Sequence, residues 1–213
     1  MDFSLETAVL WVVPVVLAIT LHEAAHGYVA RIFGDQTAWM LGRVTLNPLK
    51  HIDPLWAVVL PGVLIFLGLP AIGMAKPVPV NFGNLRHPKR DMIWVAGAGP
   101  LANFVMALGW AFLLSATAPS GPWASNGVYV MANAGVSINL ALLALNLLPV
   151  PPLDGGRIAV GLLPNKASMM LARVEPYGFF IVLALIAIPG ALWTILKPIY
   201  RVFETLVYSL AGF

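Results

Sequence analysis

Long apolar runs separated by short polar stretches are the feature of this sequence that most limits its fold. They lie at about 5–33, 55–74, 91–118, 128–148 and 177–196. A helix needs about 20 consecutive apolar residues to span a hydrocarbon core about 30 Å thick. Runs of this length and number predict an all-α polytopic membrane protein with about four full transmembrane helices.

The composition supports this interpretation, because 60% of the 213 residues are hydrophobic and only 10% are charged. Soluble domains carry about 25% charged residues, and the chain has no mixed block of about 50 residues that could form one. We therefore predict a single membrane domain over 1–213, with a core at about 5–160 and accessory helices at about 175–211. The net charge of +3 is small, so a nucleic-acid partner is not expected.

The run at 55–74 is a poor candidate for a continuous helix. It contains two prolines and three glycines, which are unfavourable inside helices, so we expect a re-entrant or hairpin element there. The stretches 38–47 and 76–82 flank this run and contain β-forming residues and prolines. We expect short membrane-associated β-strands in them.

A polar cluster interrupts the first apolar run, in the stretch LHEAAHG at 21–27. On a helix His22 and His26 project from one face, one turn apart, so both imidazoles can bind one zinc ion. Glu23 can then lie beside the metal as a general base. The alternative is a polar contact between helices. Shuffling four His and four Glu among 213 residues gives this pattern in roughly one of 700 chains, which favours the metal site.

A catalytic zinc site usually has three protein ligands and an open position. The chain has no cysteine, so the third ligand must be His, Asp or Glu. Asp154 is a candidate because it follows an apolar helix in NLLPVPPLDGG, where prolines end the helix and glycines free the backbone. An ordinary Asp-Gly turn is an equal alternative. Surface, turn or cap positions account for the other candidates, which are His51, His87, Asp53, Asp91 and Glu175.

The distribution of basic residues predicts the orientation in the membrane. Lys and Arg occur in 34–90 and 149–175, whereas the N-terminal flank and 119–127 have none. By the positive-inside rule, the N-terminus and 119–127 are expected outside and the two basic stretches in the cytoplasm. This solution places Asp154 and the HExxH end of the first helix on the same side, provided that 55–74 does not cross the membrane once.

Three stretches in combination resemble the site-2 protease family, the intramembrane zinc metalloproteases. They are HEAAH in the first predicted helix, GAGPLANF in a later helix, and NLLPVPPLDGG after another. GRVTLNPLKHIDP and AKPVPVN are also similar to the small prokaryotic branch of the family, for which we expect no PDZ or CBS-type domain. Together these motifs span most of residues 20–160.

The resemblance implies that His22, His26 and Asp154 bind one zinc ion per chain and that Glu23 is the catalytic base. It also implies a location in the cell membrane, with an active site that opens toward the cytoplasm. The partners expected are the lipid bilayer and membrane-protein substrates, whose peptide bonds are hydrolysed within or near transmembrane helices. Regulated intramembrane proteolysis would be the physiological setting.

Two asparagines correspond to family motif positions. Asn146 matches a position near the site, where its amide can hydrogen-bond the substrate or the oxyanion, and helix packing is an equal alternative. Asn103, in the Gly-Pro stretch, is a weaker candidate for the same role.

Two rival functions use the same residue types. An intramembrane metal-ion or proton transporter carries His, Glu and Asp along an ion pathway. However, Glu23 is the one acidic residue away from the ends of the apolar runs, and the sequence lacks the repeat symmetry of transporters. The other rival is a catalytically idle zinc-stabilised scaffold, which would not need a glutamate at the position of a base.

Overall fold

A computed structural model describes residues 5–51, Phe66, 76–121 and 124–213, with side chains from Val9 onward. The regular secondary structure of these residues is helical throughout, which confirms the all-α part of the prediction. The α-helices are, in chain order, α1 (Leu5–Ile32), α2 (Thr37–Met40), α3 (Pro88–Thr117), α4 (Asn126–Asn146), α5 (Asp154–Leu162), α6 (Asn165–Ala172), α7 (Glu175–Ala187) and α8 (Ala191–Ala211). Two short 3-10 turns, Pro48–Lys50 and Phe82–Asn84, lie between α2 and α3.

Among the described residues, three helices are long and apolar enough to cross a membrane. The qualifying stretches are Val9–Ile32 in α1, Pro88–Thr117 in α3 and Asn126–Asn146 in α4. Helices α6 and α7 pass the same test only as a pair, and they are bent by 61° at the break between them. The described residues therefore offer three candidate spans, or four if the bent pair is one broken span, against the four expected from the sequence.

The predicted β-strands are wrong, because no residue that the structure describes lies in a strand. The stretch 38–47 contributes to α2 and then forms turns. Residues 76–81 belong to no helix or strand, and the prolines at 77 and 79 favour an extended backbone here. Pro77 and Pro79 lack the N–H group that a strand ladder requires. The polar backbone groups of this stretch instead form hydrogen bonds with neighbouring side chains and with one loop carbonyl. The predicted re-entrant element at 55–74 lies outside the described residues, apart from Phe66.

Helix α3 is the central element and contacts α1, α4, α5 and α8. A cluster of buried apolar side chains joins α3, α4 and α8, and alanine supplies half of it. Its members are Ala107, Ala111, Leu114, Ala132, Val136, Leu140, Val207 and Ala211. Small side chains let helices approach closely where lipid offers no hydrophobic driving force for their association. Because α1 and α5 both pack on α3, the HEAAH stretch and Asp154 are held against one helix.

The loop after α1 is tied to the extended stretch by Asp35, which is fully buried. Its carboxylate accepts hydrogen bonds from the Asn81 N–H (2.8 Å), the Asn84 side-chain amide (3.1 Å) and the Thr37 N–H (3.1 Å) and hydroxyl. Burial raises the pKa of Asp35, but these hydrogen bonds outweigh it and hold the pKa below its ordinary value. Asp35 therefore fixes residues 81–84 to the end of α1.

Candidate metal centre

His22, His26 and Asp154 meet at one point between α1 and α5. The Nε2 atoms of the two histidines are 3.1 Å apart, and each lies 3.3 Å from Oδ2 of Asp154. All three residues are largely buried, with 7%, 9% and 8% of their surface exposed. Within the described part of the chain they form a group whose ligand atoms could hold a metal ion.

The hydrogen bonds of the two Nδ1 atoms determine which nitrogen of each imidazole carries the proton. Nδ1 of His26 lies 2.7 Å from the Val95 carbonyl oxygen, and Nδ1 of His22 lies 2.5 Å from Oδ1 of Asn103. Both partners are acceptors, so each Nδ1 must donate. In the neutral ring each Nε2 therefore presents a lone pair toward Asp154, which is the tautomer that binds metal.

A buried amide chain fixes the orientation of Asn103. Its Nδ2 donates to Oδ1 of Asn139 at 2.9 Å, and Nδ2 of Asn139 donates to the Gly135 carbonyl at 2.8 Å. Both asparagines are fully buried. Turning either amide over would place two donors or two acceptors face to face. The chain thus runs from α4 through α3 to His22 and determines which atom His22 offers to a metal.

The distances among Nε2 of His22, Nε2 of His26 and Oδ2 of Asp154 fit coordination of a zinc ion. Three electron-rich atoms at this separation repel one another unless a cation lies between them, and Oδ2 of Asp154 is buried without a hydrogen-bond partner among the described residues. Tetrahedral bonds of about 2.0–2.1 Å place ligand atoms about 3.3 Å apart, close to the separations of 3.1 and 3.3 Å seen here. Two imidazoles and a carboxylate are also a catalytic zinc donor set that leaves a fourth position open.

Gly99 of α3 keeps this space free. A Cβ at this position would lie 2.6 Å from Nε2 of His22 and closer still to Nε2 of His26, so a larger residue would displace the two proposed ligands. The sequence motifs gave no specific role to Gly99 or Asn139. The available signal was a polar residue inside an apolar run, a property that Asn139 shares with Asn133, Ser137 and Asn146 in 128–148.

Glu23 and Asn146 line the same cavity as the metal cluster, which has a volume of about 350 Å³. One carboxylate oxygen of Glu23, Oε2, accepts a hydrogen bond of 2.7 Å from the Val78 N–H. Nδ2 of Asn146 donates to the Leu142 carbonyl at 3.0 Å, which leaves its second N–H for a ligand. Asn103 lies outside the cavity lining and contacts His22 instead, so its position favours orientation of that ligand over contact with a substrate.

The remaining candidate ligands lie apart from the cluster. His51 was expected at the surface, but it is 1% exposed, and its Nε2 bonds to a backbone carbonyl of the same loop at 3.0 Å. The His87 side chain is exposed, and His87 is the N-cap residue of α3. Asp91, predicted as a turn or cap residue, instead lies buried in the first turn of α3, where it accepts a hydrogen bond of 2.8 Å from the backbone N–H of His87. Glu175 lies in the first turn of α7. Asp53 lies outside the described residues.

Comparisons with known proteins point to one family. The family model "Peptidase family M50" matches residues 113–189. "Putative zinc metalloprotease YwhC" of Bacillus subtilis is 37% identical over 193 residues, which cover 87% of this chain and 85% of the relative. "Putative zinc metalloprotease Rip2" of Mycolicibacterium smegmatis is 31% identical over 192 residues, 88% of this chain and 70% of the relative. The Mycobacterium tuberculosis protein of the same name is 28% identical over 193 residues, with the same coverage. No solved structure matches significantly.

Proposed function

Because this chain belongs to peptidase family M50, the site-2 proteases, and is a multi-pass membrane metalloprotease, we propose an activity on membrane proteins. The chain hydrolyses peptide bonds within or near transmembrane helices of its membrane-protein substrates. We further propose that His22, His26 and Asp154 hold one zinc ion per chain. The main support is the convergence of two lone-pair nitrogens on an unpartnered buried carboxylate oxygen.

The chemistry follows from the residues around the cluster. Zinc, when bound, would act as a Lewis acid that lowers the pKa of water to about 7 and polarises a substrate carbonyl. Glu23 lines the same cavity, and it takes a proton from the attacking water and returns it to the leaving amine. The free N–H of Asn146 is available to donate to the oxygen on which negative charge develops.

The cavity walls suit a segment taken from a membrane helix. Apolar side chains dominate them, among them Ile19, Val95, Ala96, Leu142, Pro152 and Leu153. The carbonyl groups of a helical substrate are engaged in i→i−4 hydrogen bonds, so the substrate must unwind before a carbonyl can reach the site. Substrates with glycine or proline near the scissile bond should therefore react faster, because their helices open at lower cost.

The cleavage experiment uses the purified full chain and a panel of single-span membrane peptides. Wild type should cut within or near the apolar segment. Glu23→Gln should keep its zinc, measured by mass spectrometry, and lose about 10²–10⁴ in rate, the usual contribution of a general base. Cleavage by Glu23→Gln at the wild-type rate would refute the role of Glu23. If wild type cut no peptide in the panel, the proposed activity would be refuted.

We also propose that the site opens toward the cytoplasm with the N-terminus outside, as the basic residues indicate. The chain has no cysteine, so each single-cysteine variant carries one thiol. In intact cells, a membrane-impermeant maleimide should label Ser125→Cys and not Lys166→Cys. Both positions are exposed, and labelling in the reverse order would overturn this orientation.

A further inference from the structure

We propose that the backbone N–H of Val78 positions Glu23 for proton transfer, so that the extended stretch at 76–81 is part of the catalytic support. This inference rests on the proposed role of Glu23 as the base. The Val78 N–H donates to Oε2 of Glu23 at 2.7 Å, across 55 positions of the chain. An amide donating to a carboxylate makes a short, directional hydrogen bond. It holds one oxygen and leaves the other to accept a proton.

The local sequence singles out this amide. Pro77 and Pro79 have no N–H group, so Val78 is the one donor in residues 77–79. The next amide, that of Val80, has no hydrogen-bond partner among the described residues. Val78 itself is buried, with 7% of its surface exposed. The stretch thus presents a single buried amide toward α1, and this amide meets the residue proposed as the base.

The glycine that follows HEAAH allows this approach. Gly27 lies one turn beyond Glu23 on α1, and a Cβ there would lie 3.0 Å from Cγ1 of Val78 and 2.8 Å from Cγ2 of Val44. Both separations are tighter than ordinary van der Waals contact. A side chain at position 27 would therefore press Val78 away from α1 and lengthen its bond to Glu23.

Anchors on both sides of Val78 fix the position of its amide. Before it, Nη2 of Arg43 donates to the carbonyl oxygens of residues 76 and 77 at 3.0 and 3.3 Å. After it, the Asn81 N–H donates to the fully buried Asp35 at 2.8 Å. A general base needs a fixed orientation as well as proximity. The anchored amide supplies that orientation from outside the helix that carries Glu23.

Three substitutions separate the amide from the side chain. Val78→Pro removes the N–H, Val78→Ala keeps it, and Val80→Pro measures the effect of an added proline in the same stretch. We expect Val78→Pro to have a kcat about 10- to 100-fold below that of Val80→Pro, with KM and bound zinc within about threefold of it, and Val78→Ala to retain most of the wild-type rate. Equal kcat in the two proline variants, or a loss of zinc that accounts for the lost rate, would overturn the proposal.

A second measurement tests the hydrogen bond without relying on cleavage. Amide hydrogen exchange of Val78, resolved by NMR, should be at least about tenfold faster in Glu23→Ala than in wild type, since the acceptor is gone. The Val80 amide should exchange at the same rate in both. Unchanged exchange at Val78 would refute the bond. A chain that shows the exchange effect but cleaves no peptide would refute the proposed protease activity instead.

Discussion

Gly99→Ala should greatly weaken metal binding while the protein keeps its helical structure. The added methyl group would lie 2.6 Å from Nε2 of His22 and closer still to Nε2 of His26, so it would press on both nitrogens that are proposed to bind zinc. Gly97, two residues earlier on α3, provides a matched control, because a Cβ there would meet nothing within 4 Å beyond its chain neighbours and the nearby backbone of its own helix. The two variants thus make the same chemical change on one helix, and only one of them enters the cluster.

The structure sets the expected size of the effect. To make room, α3 would have to withdraw from α1, and α3 carries both acceptors for the histidine Nδ1 atoms, the Val95 carbonyl and Asn103. Losing one such partner typically costs 10- to 100-fold in metal affinity. With both partners strained and the metal position crowded, Gly99→Ala should bind zinc at least about 100-fold more weakly, about 2.8 kcal/mol. Gly97→Ala should be unchanged or up to about 1 kcal/mol more stable, because alanine favours the helix.

The assay is a competition titration. Metal-free protein in detergent competes with a chromophoric chelator for zinc, and circular dichroism with thermal unfolding follows the fold. Gly99→Ala should retain its helical signal but leave the zinc bound to the chelator, whereas Gly97→Ala should take up zinc as wild type does. If Gly99→Ala bound zinc within about threefold of Gly97→Ala, the space beside Gly99 would not be the metal position.

Three further predictions concern the support of the site. Asn103→Leu should weaken zinc binding by about 10- to 100-fold in the same titration, because His22 loses the acceptor for Nδ1; wild-type affinity would contradict this. Asp35 has a lowered pKa in the folded state, so its ionised carboxylate stabilises the folded protein. This stabilisation is complete above the pKa of an unfolded carboxyl group, about 3.9, and is lost as the pH falls through the lowered pKa of the folded state. The difference in melting temperature between wild type and Asp35→Asn should therefore shrink below about pH 4, and a constant difference would exclude this cause. Gly178→Ala should lower stability by about 1–3 kcal/mol, because a Cβ would overlap the Pro151 carbonyl oxygen; an unchanged unfolding midpoint would show that α7 is not packed there.

The sequence predicted the long helices well because apolar length is a local property. The runs at 5–33, 91–118 and 128–148 correspond to Leu5–Ile32, Pro88–Thr117 and Asn126–Asn146. The β-strand prediction for 76–82 is wrong, because β-propensity predicts extended backbone but does not say which groups will pair with it. Here the partners are side chains of α1 and its following loop.

The site could be predicted only where a motif is local. The spacing of His22 and His26 places both rings on one helix face, and Asp154 became a candidate through its loop composition. The contact of Asn139 with Asn103 depends on which faces of α3 and α4 meet. Lipid-facing and helix-facing positions are both apolar, so the sequence could not specify those faces. The space beside Gly99 likewise exists only once α1 and α3 are packed.

X-ray absorption at the zinc edge of the purified chain tests the central claim, that His22, His26 and Asp154 hold a metal within the membrane domain. Wild type should contain one zinc per chain, with a first shell of two imidazole nitrogens and oxygen ligands at about 2.0–2.2 Å. Asp154→Ala should lose most of its zinc. A wild-type spectrum without imidazole scattering, or full zinc with an unchanged shell in Asp154→Ala, would contradict the account.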